Sequence, residues 1–209
     1  MHPSLAPDGP VLIAILRGIT PARIAEVARI LFDGGIRVIE VPLNSPDPFQ
    51  SIARLAHMFG DACLCGAGTV LGVADVARVK EAGGRLIVTP NADPRVIAEA
   101  VTQGLTVMPG FGTATEAFSA INGGAAHLKL FPAGTFGPGH LKALRAVLPR
   151  HIPVYAVGGI GAAEIPKWIA AGAAGFGMGS ELFKPDYSDE EIAQRARTLV
   201  EAVAQSIHT

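Results

Sequence analysis

The chain has five lysines, at positions 80, 129, 142, 167 and 184, and four of them fall on helical or loop segments. Lys129 does not: it sits inside His127-Leu-Lys-Leu-Phe131, a short apolar run that reads as a strand. An unpaired ammonium is costly there. Burial or a neighbouring cation lowers a lysine's pKa until its neutral amine can attack a carbonyl. Lys129 is therefore either a Schiff-base nucleophile or a strand-end lysine whose head snorkels to water. Glu40 stands apart in the same way among 18 acidic residues, because it lies within Val38-Ile-Glu-Val-Pro-Leu43 while the others fall on helices, turns or termini. A carboxylate so placed can act as general acid/base, with burial raising its pKa toward working pH; the competing reading is a structural buried ion pair with Lys129. Arg17 follows the first apolar run, Val11 to Leu16. It offers either a bidentate fork to a substrate carboxylate or an ordinary surface salt bridge. Arg37 and Arg85 precede their runs and belong on the opposite, structural face.

The elements that would position these groups recur along the chain. Apolar runs of Val, Ile and Leu begin near Val11, Val38, Cys63, Leu86, Thr106, His127, Pro153 and Gly175, between 20 and 27 residues apart. Each is short enough to be a buried parallel strand, and segments of helical period lie between them. Pro21-Ala-Arg-Ile-Ala-Glu-Val-Ala-Arg-Ile-Leu-Phe places Ile24, Val27, Ile30 and Leu31 on one face, with Thr20 as the expected N-cap and Gly34-Gly35 as the stop. The same punctuation recurs at Gly83-Gly84, Gly104, Gly123-Gly124 and Gly172, and Ser188 to Ile207 reads as a closing amphipathic helix that turns Ile192, Ala196, Leu199 and Val203 inward. Eight βα units describe an α/β chain folded as a single (β/α)8 TIM barrel, with an open doubly wound sheet as runner-up. One domain fills residues 1–209, with 1–10 as an N-terminal extension.

In such a barrel, function gathers where strands end. Two glycine runs follow the seventh and eighth strands, Gly158-Gly-Ile-Gly161 and Gly175-Phe-Gly-Met-Gly-Ser180, where backbone N–H groups commonly meet a phosphate. Neither has the spacing of a dinucleotide fingerprint. Thr69, after the third strand, is either a hydrogen-bond donor to a carboxylate or a cap for the segment near Val73; Thr113 or Thr115 reads as a cap with Glu116 behind it.

Composition removes other functions. The net charge of −1 and a pI near 6.6 lack the basic field of a nucleic-acid binder. No run reaches the ~18 apolar residues of a membrane span, and the N-terminus lacks a signal-peptide pattern. Cys63 and Cys65 are too close in sequence for a sensible disulfide, and the six histidines form no His-x-His or His-x-x-x-His pair. A catalytic metal is not expected, and a reducing cytoplasm is the plain reading of the cysteines.

Read together, Ile15-Leu-Arg-Gly18, Ile39-Glu-Val-Pro42, Gly66-Ala-Gly-Thr69, Thr89-Pro-Asn91, Leu128-Lys-Leu-Phe-Pro132 and Val157-Gly-Gly159 resemble, in family order, the class I 2-dehydro-3-deoxyphosphogluconate aldolases. The resemblance runs from about Val11 to Phe183. Leu12-Ile-Ala-Ile-Leu-Arg-Gly-Ile-Thr-Pro21, Val41-Pro-Leu-Asn-Ser-Pro46 and Thr113-Ala-Thr-Glu-Ala-Phe118 are most similar to the galactonate-pathway branch. It implies Lys129 as the Schiff-base lysine, Glu40 as general acid/base, and Arg17 and Thr69 on the pyruvyl carboxylate. Pro90 and Phe131 would shape the pocket wall, and Gly158, Gly159, Gly179 and Ser180 would meet the phosphate. Val157 stands where gluconate-type members usually carry Thr, which shifts preference among substrate epimers. The implied substrate is a 2-keto-3-deoxy sugar-acid phosphate that yields pyruvate; no cofactor is implied, and the assembly would be a homotrimer. Alternatives are a related aldolase acting on the phosphogluconate or 4-hydroxy-2-oxoglutarate substrate, a phosphosugar isomerase, which would leave Lys129 without a covalent task, and a sugar-phosphate-binding barrel without chemistry.

Overall fold

A computed structural model describes Leu5 and residues 9–207. The expected 1–10 extension falls mostly outside these residues. Strand and helix alternate from the start: β1 (Val11–Ile15) and α1 (Ile24–Asp33), β2 (Val38–Pro42) and α2 (Pro48–Phe59), β3 (Leu64–Gly68) and α3 (Val73–Glu81), β4 (Leu86–Val88) and α4 (Pro94–Thr102). Two short strands, β5 (Thr106–Met108) and β6 (Gly110–Phe111), precede α5 (Ala114–Asn122). Then come β7 (Leu128–Leu130) with α6 (Ala133–Phe136) and α7 (Pro138–Arg145), β8 (Val154–Val157) with α8 (Ile165–Ala170), and β9 (Gly175–Met178) with α9 (Asp189–Ile207).

The strands pair in the order β5-β4-β3-β2-β1-β9-β8-β7-β6, all parallel. The two ends of that order are neighbours in the chain, separated only by Pro109, which has no N–H to give a ladder. Its carbonyl still accepts from the Lys129 N–H at 2.9 Å. Thus β5 and β6 are halves of one stave, and eight staves close into a (β/α)8 barrel. An open sheet would end in two different strands. Three strands begin one residue later than the sequence suggests, at Leu64, Leu128 and Val154.

Alternation along each strand divides the core in two. Leu12, Ala14, Leu16, Ile39, Val41 and Phe176 join the layer between strands and helices. Their neighbours point into the barrel, where Leu5, Ile13, Val38, Leu64, Leu86, Val88, Met108 and Tyr155 form a second cluster that takes in the first residues of β2, β3 and β4. The Tyr155 hydroxyl donates to the Leu5 carbonyl, which fixes Leu5 against this cluster. Glu40 and Lys129 also point into this interior.

The helices mostly follow their apolar periods. In α1, Ile24, Val27, Ala28 and Leu31 are buried, while Ile30 is only partly covered. The expected start needs correcting. Residues 21–23 form a turn, and the Thr20 carbonyl, not its hydroxyl, receives the N–H groups of Arg23 and Ile24, each at 3.1 Å. Gly35, Gly83, Gly104, Gly124 and Gly172 all carry positive φ after their helices, as helix stops require. Helix α9 packs on α1 and α8 and buries Ile192, Ala196, Leu199 and Val203. No helix among the described residues is long and apolar enough to cross a membrane.

Candidate active site

Glu40 is the third residue of β2, and the alternation that buries Ile39 and Val41 against helices turns its carboxylate inward, leaving it 2% exposed. It rests against β3 at Gly68: a Cβ built there would lie 2.0 Å from Glu40 Oε2. Only glycine leaves the carboxylate that place. Its Oε2 has no hydrogen-bond partner among the described residues. Burial pushes its pKa up to about 7, opposed by the cations of Lys129 and Arg17.

Lys129 enters the same interior from β7 and is 6% exposed, so its head does not snorkel to water. Burial lowers its pKa, the Glu40 charge acts to raise it, and Arg17 lowers it further. Its Nζ lies 4.7 Å from the centroid of the Phe131 ring, a cation–π contact. The ion pairs among the described residues do not include Glu40 with Lys129. The two groups therefore influence each other across the cavity without joining, which sets aside the purely structural pair.

Arg17, on the loop after β1, uses its two terminal nitrogens differently: Nη1 donates to Asn44 Oδ1 at 2.6 Å and Nη2 reaches Thr69 Oγ1 at 3.5 Å. Among the described residues no carboxylate pairs with it. Thr69 follows β3 at φ 55°, a left-handed backbone that a β-branched residue rarely adopts. The N-cap of α3 is Gly72, so Thr69 is not that helix's cap. Thr113 does cap α5, in a reciprocal box with Glu116. Arg37 and Arg85 lie at the strand-start end: Arg37 stacks 3.7 Å over the Phe32 ring, and Arg85 pairs with Asp61 at 2.7 Å.

These side chains converge on one cavity of about 160 Å³. Arg17, Glu40, Thr69, Pro90, Lys129 and Phe131 line one part of it. Val157, Gly158, Gly159, Gly179 and Ser180 line another. All eleven residues singled out in the sequence thus border a single space. The glycine runs divide in use. Gly158 and Gly159 have φ 94° and 72°, open to glycine alone, and face the cavity. Gly161 does not line it, and its N–H is taken by Glu164 at 3.2 Å. Gly175 serves packing, since a Cβ there would meet the Val11 carbonyl oxygen at 2.3 Å.

Sequence reasoning gave no individual role to Ile15, Ile160, Gly177, Met178 or Glu181, which also line the cavity, although all but Glu181 lie within motifs it singled out. It also gave no role to Asn44, which holds Arg17. Asn44 and Glu181 are polar residues that follow strands, and the rule that singled out Arg17 applies to both. Cys63 and Cys65 lie in the strand–helix layer, and burial pushes the Cys63 thiol up to about 12. They offer the cavity neither a metal ligand nor a thiolate.

A depressed amine facing an unpaired carboxylate, with a guanidinium at the rim, can bind a keto acid, form an imine and move a proton. Known proteins point the same way. Residues 9–198 match the family described as "Aldolase: KDPG and KHG aldolase". The 2-dehydro-3-deoxy-6-phosphogalactonate aldolase of Escherichia coli (strain K12) is 47% identical over 196 residues, which are 94% of this chain and 96% of that one. A solved structure described as native KDPGal superposes with a TM-score of 0.95 at 45% identity, covering 100% of both chains. The KDPG aldolase of Legionella pneumophila, captured with pyruvate as a covalent carbinolamine, superposes at 0.80 with 25% identity, over 97% of this chain and 95% of that one. With barrel, cavity and sequence in agreement over nearly its whole length, the chain belongs to the KDPG and KHG aldolase family.

Proposed function

We propose that this chain is a class I aldolase that cleaves 2-dehydro-3-deoxy-6-phospho-D-galactonate to pyruvate and D-glyceraldehyde 3-phosphate. The observation that carries the chemistry is the pairing of a buried, depressed Lys129 amine with a buried Glu40 carboxylate that has an unpartnered oxygen. The similar Escherichia coli enzyme, named for this substrate, supports the choice of substrate.

The neutral Lys129 amine adds to the C2 ketone, and loss of water leaves a protonated imine. Arg17 and Thr69 hold the adjacent carboxylate, with Pro90 and Phe131 as the wall. Glu40, directly or through a water, removes the C4 hydroxyl proton. The C3–C4 electron pair then flows into the iminium and the aldehyde departs. The resulting enamine is protonated at C3, and water hydrolyses the imine to free pyruvate and the amine. The iminium is itself the electron sink, so these steps call on no cofactor. Gly158, Gly159, Gly179 and Ser180 offer donors to the substrate phosphate. At 157, valine presents no hydroxyl to the substrate hydroxyl whose configuration separates the galactonate from the gluconate epimer.

Borohydride reduction in the presence of pyruvate is expected to leave a stable adduct on Lys129, seen by peptide mass. An adduct elsewhere, or none, overturns the Schiff-base assignment. Lys129→Ala is expected to abolish cleavage while circular dichroism remains that of the folded chain. Comparing kcat/KM on the two C4 epimers tests the substrate, and a strong preference for the gluconate epimer reassigns it. We further propose a homotrimer, as the family resemblance implies, to be checked by light scattering. A cytoplasmic location fits two free cysteines held reduced in the core.

A further inference from the structure

We infer that Asn44 is a positioning residue: its amide oxygen holds the Arg17 guanidinium at the cavity rim while leaving its positive charge uncompensated for the substrate carboxylate. The inference rests on the proposed role of Arg17. The loops after β1 and β2 are stitched at consecutive residues. Arg17 Nη1 donates to Asn44 Oδ1 at 2.6 Å, and the next residue's backbone N–H, Gly18, donates to Ser45 Oγ at 3.0 Å, with Ser45 buried. Nη2 points to Thr69 on the third loop, at 3.5 Å. A long, exposed arginine loses rotamer freedom when it grips a ligand; a pre-formed hydrogen bond removes much of that loss from the binding step.

The chemistry of the partner matters as much as its place. Arg23, Arg78, Arg85, Arg95 and Arg195 pair with aspartate or glutamate within 4.0 Å. Arg17 takes a neutral amide instead, although Glu40 and Glu181 line the cavity it borders. A carboxylate at position 44 would keep the geometry but compete with the substrate for the same charge. The neutral oxygen orients the guanidinium without that competition.

Two substitutions separate position from charge. Asn44→Ala removes the acceptor, and Asn44→Asp keeps one while adding a negative charge. Asn44→Ala is expected to raise KM for the phosphorylated keto acid about tenfold, as loss of one charge-assisted hydrogen bond implies, and Asn44→Asp to raise it at least as much, because its carboxylate competes with that of the substrate for the guanidinium. They should leave kcat within about twofold, since the carboxylate is held alike in ground and transition states. In an Arg17→Ala background, Asn44→Ala should change KM no further, because Asn44 acts only through Arg17; melting temperatures establish that each variant is folded. An unchanged KM in Asn44→Ala overturns the positioning role. A near-normal KM in Asn44→Asp overturns the role of neutrality, and an additive loss in the double variant shows that Asn44 acts elsewhere. If the unsubstituted chain forms no borohydride adduct with pyruvate, the aldolase reading fails instead. An adduct together with an indifferent Asn44 sinks this inference alone.

Discussion

Glu40 ionises near pH 7, against an ordinary 4.5, because burial penalises its charge more than the Lys129 and Arg17 cations favour it. A carboxylate whose folded pKa is raised binds its proton more tightly in the folded than in the unfolded chain. Ionisation therefore withdraws stability as pH rises from about 4.5 through about 7. Over that window the withdrawal is about 3 kcal/mol, at 1.36 kcal/mol per unit. Glu40→Gln removes this dependence. The variant is expected to be inactive, and its stability advantage over the unsubstituted protein should grow between pH 5 and pH 8 in urea unfolding. An advantage that is flat or shrinking with pH would show that Glu40 is already ionised at low pH. Lys129 has the opposite sign, because its depressed pKa makes the protonated form the unfavourable one in the fold. Burial disfavours the charged form of both groups; imine formation needs the Lys129 amine neutral, and removal of the C4 hydroxyl proton needs Glu40 as the carboxylate.

At the scale of elements, the site depends on what β3 and β9 lack. Gly68 gives up a side chain so that Glu40 can lie against β3, and Gly177 does so beside Val157, where a Cβ would come within 2.7 Å of Cγ2. Gly68→Ala should therefore displace the Glu40 carboxylate and lower kcat by 100-fold or more, the usual contribution of a positioned acid/base. The protein should remain folded, as near-UV circular dichroism would report; normal turnover would show that the strand yields instead. Such dependence explains what could be read in the sequence and what could not. Lys129 and Glu40 stand out because a charge inside an apolar run has no local explanation. The eight staves are legible because buried strands repeat at a regular interval. The interruption at Pro109 is less so, because whether a stave breaks depends on how its neighbours pair, and neighbours are not adjacent in sequence. Asn44 and Glu181 pass unnoticed for another reason: polar residues after strands are what loops ordinarily contain, and only distance to Arg17 or to the cavity separates them from the rest. Thr20 looked like a cap because of its type and the proline behind it, yet the turn at 21–23 uses its carbonyl.

For the whole molecule, the two ends of the barrel do different work. The end where strands finish holds the cavity; the other is packed shut by Ile13, Val38, Leu64, Leu86 and Tyr155, with Leu5, 3% exposed, in the same cluster. Leu5→Ala is expected to destabilise the fold by about 2–3 kcal/mol, the low end for a buried leucine, and to leave KM and kcat unchanged. A change in turnover would mean that the two ends communicate. The closed ring of staves also bears on how the protein behaves in crowded solution. Open sheets recruit foreign chains through the unpaired N–H and C=O groups of their outermost strands; here the two end strands of the order, β5 and β6, are halves of one stave, so the described residues leave no full-length edge strand. At its one interruption the residue is Pro109, which has no N–H to offer a stranger. Self-association into fibrils or amorphous aggregate then has to wait for the ring to open, so the onset of turbidity on heating should follow melting rather than precede it.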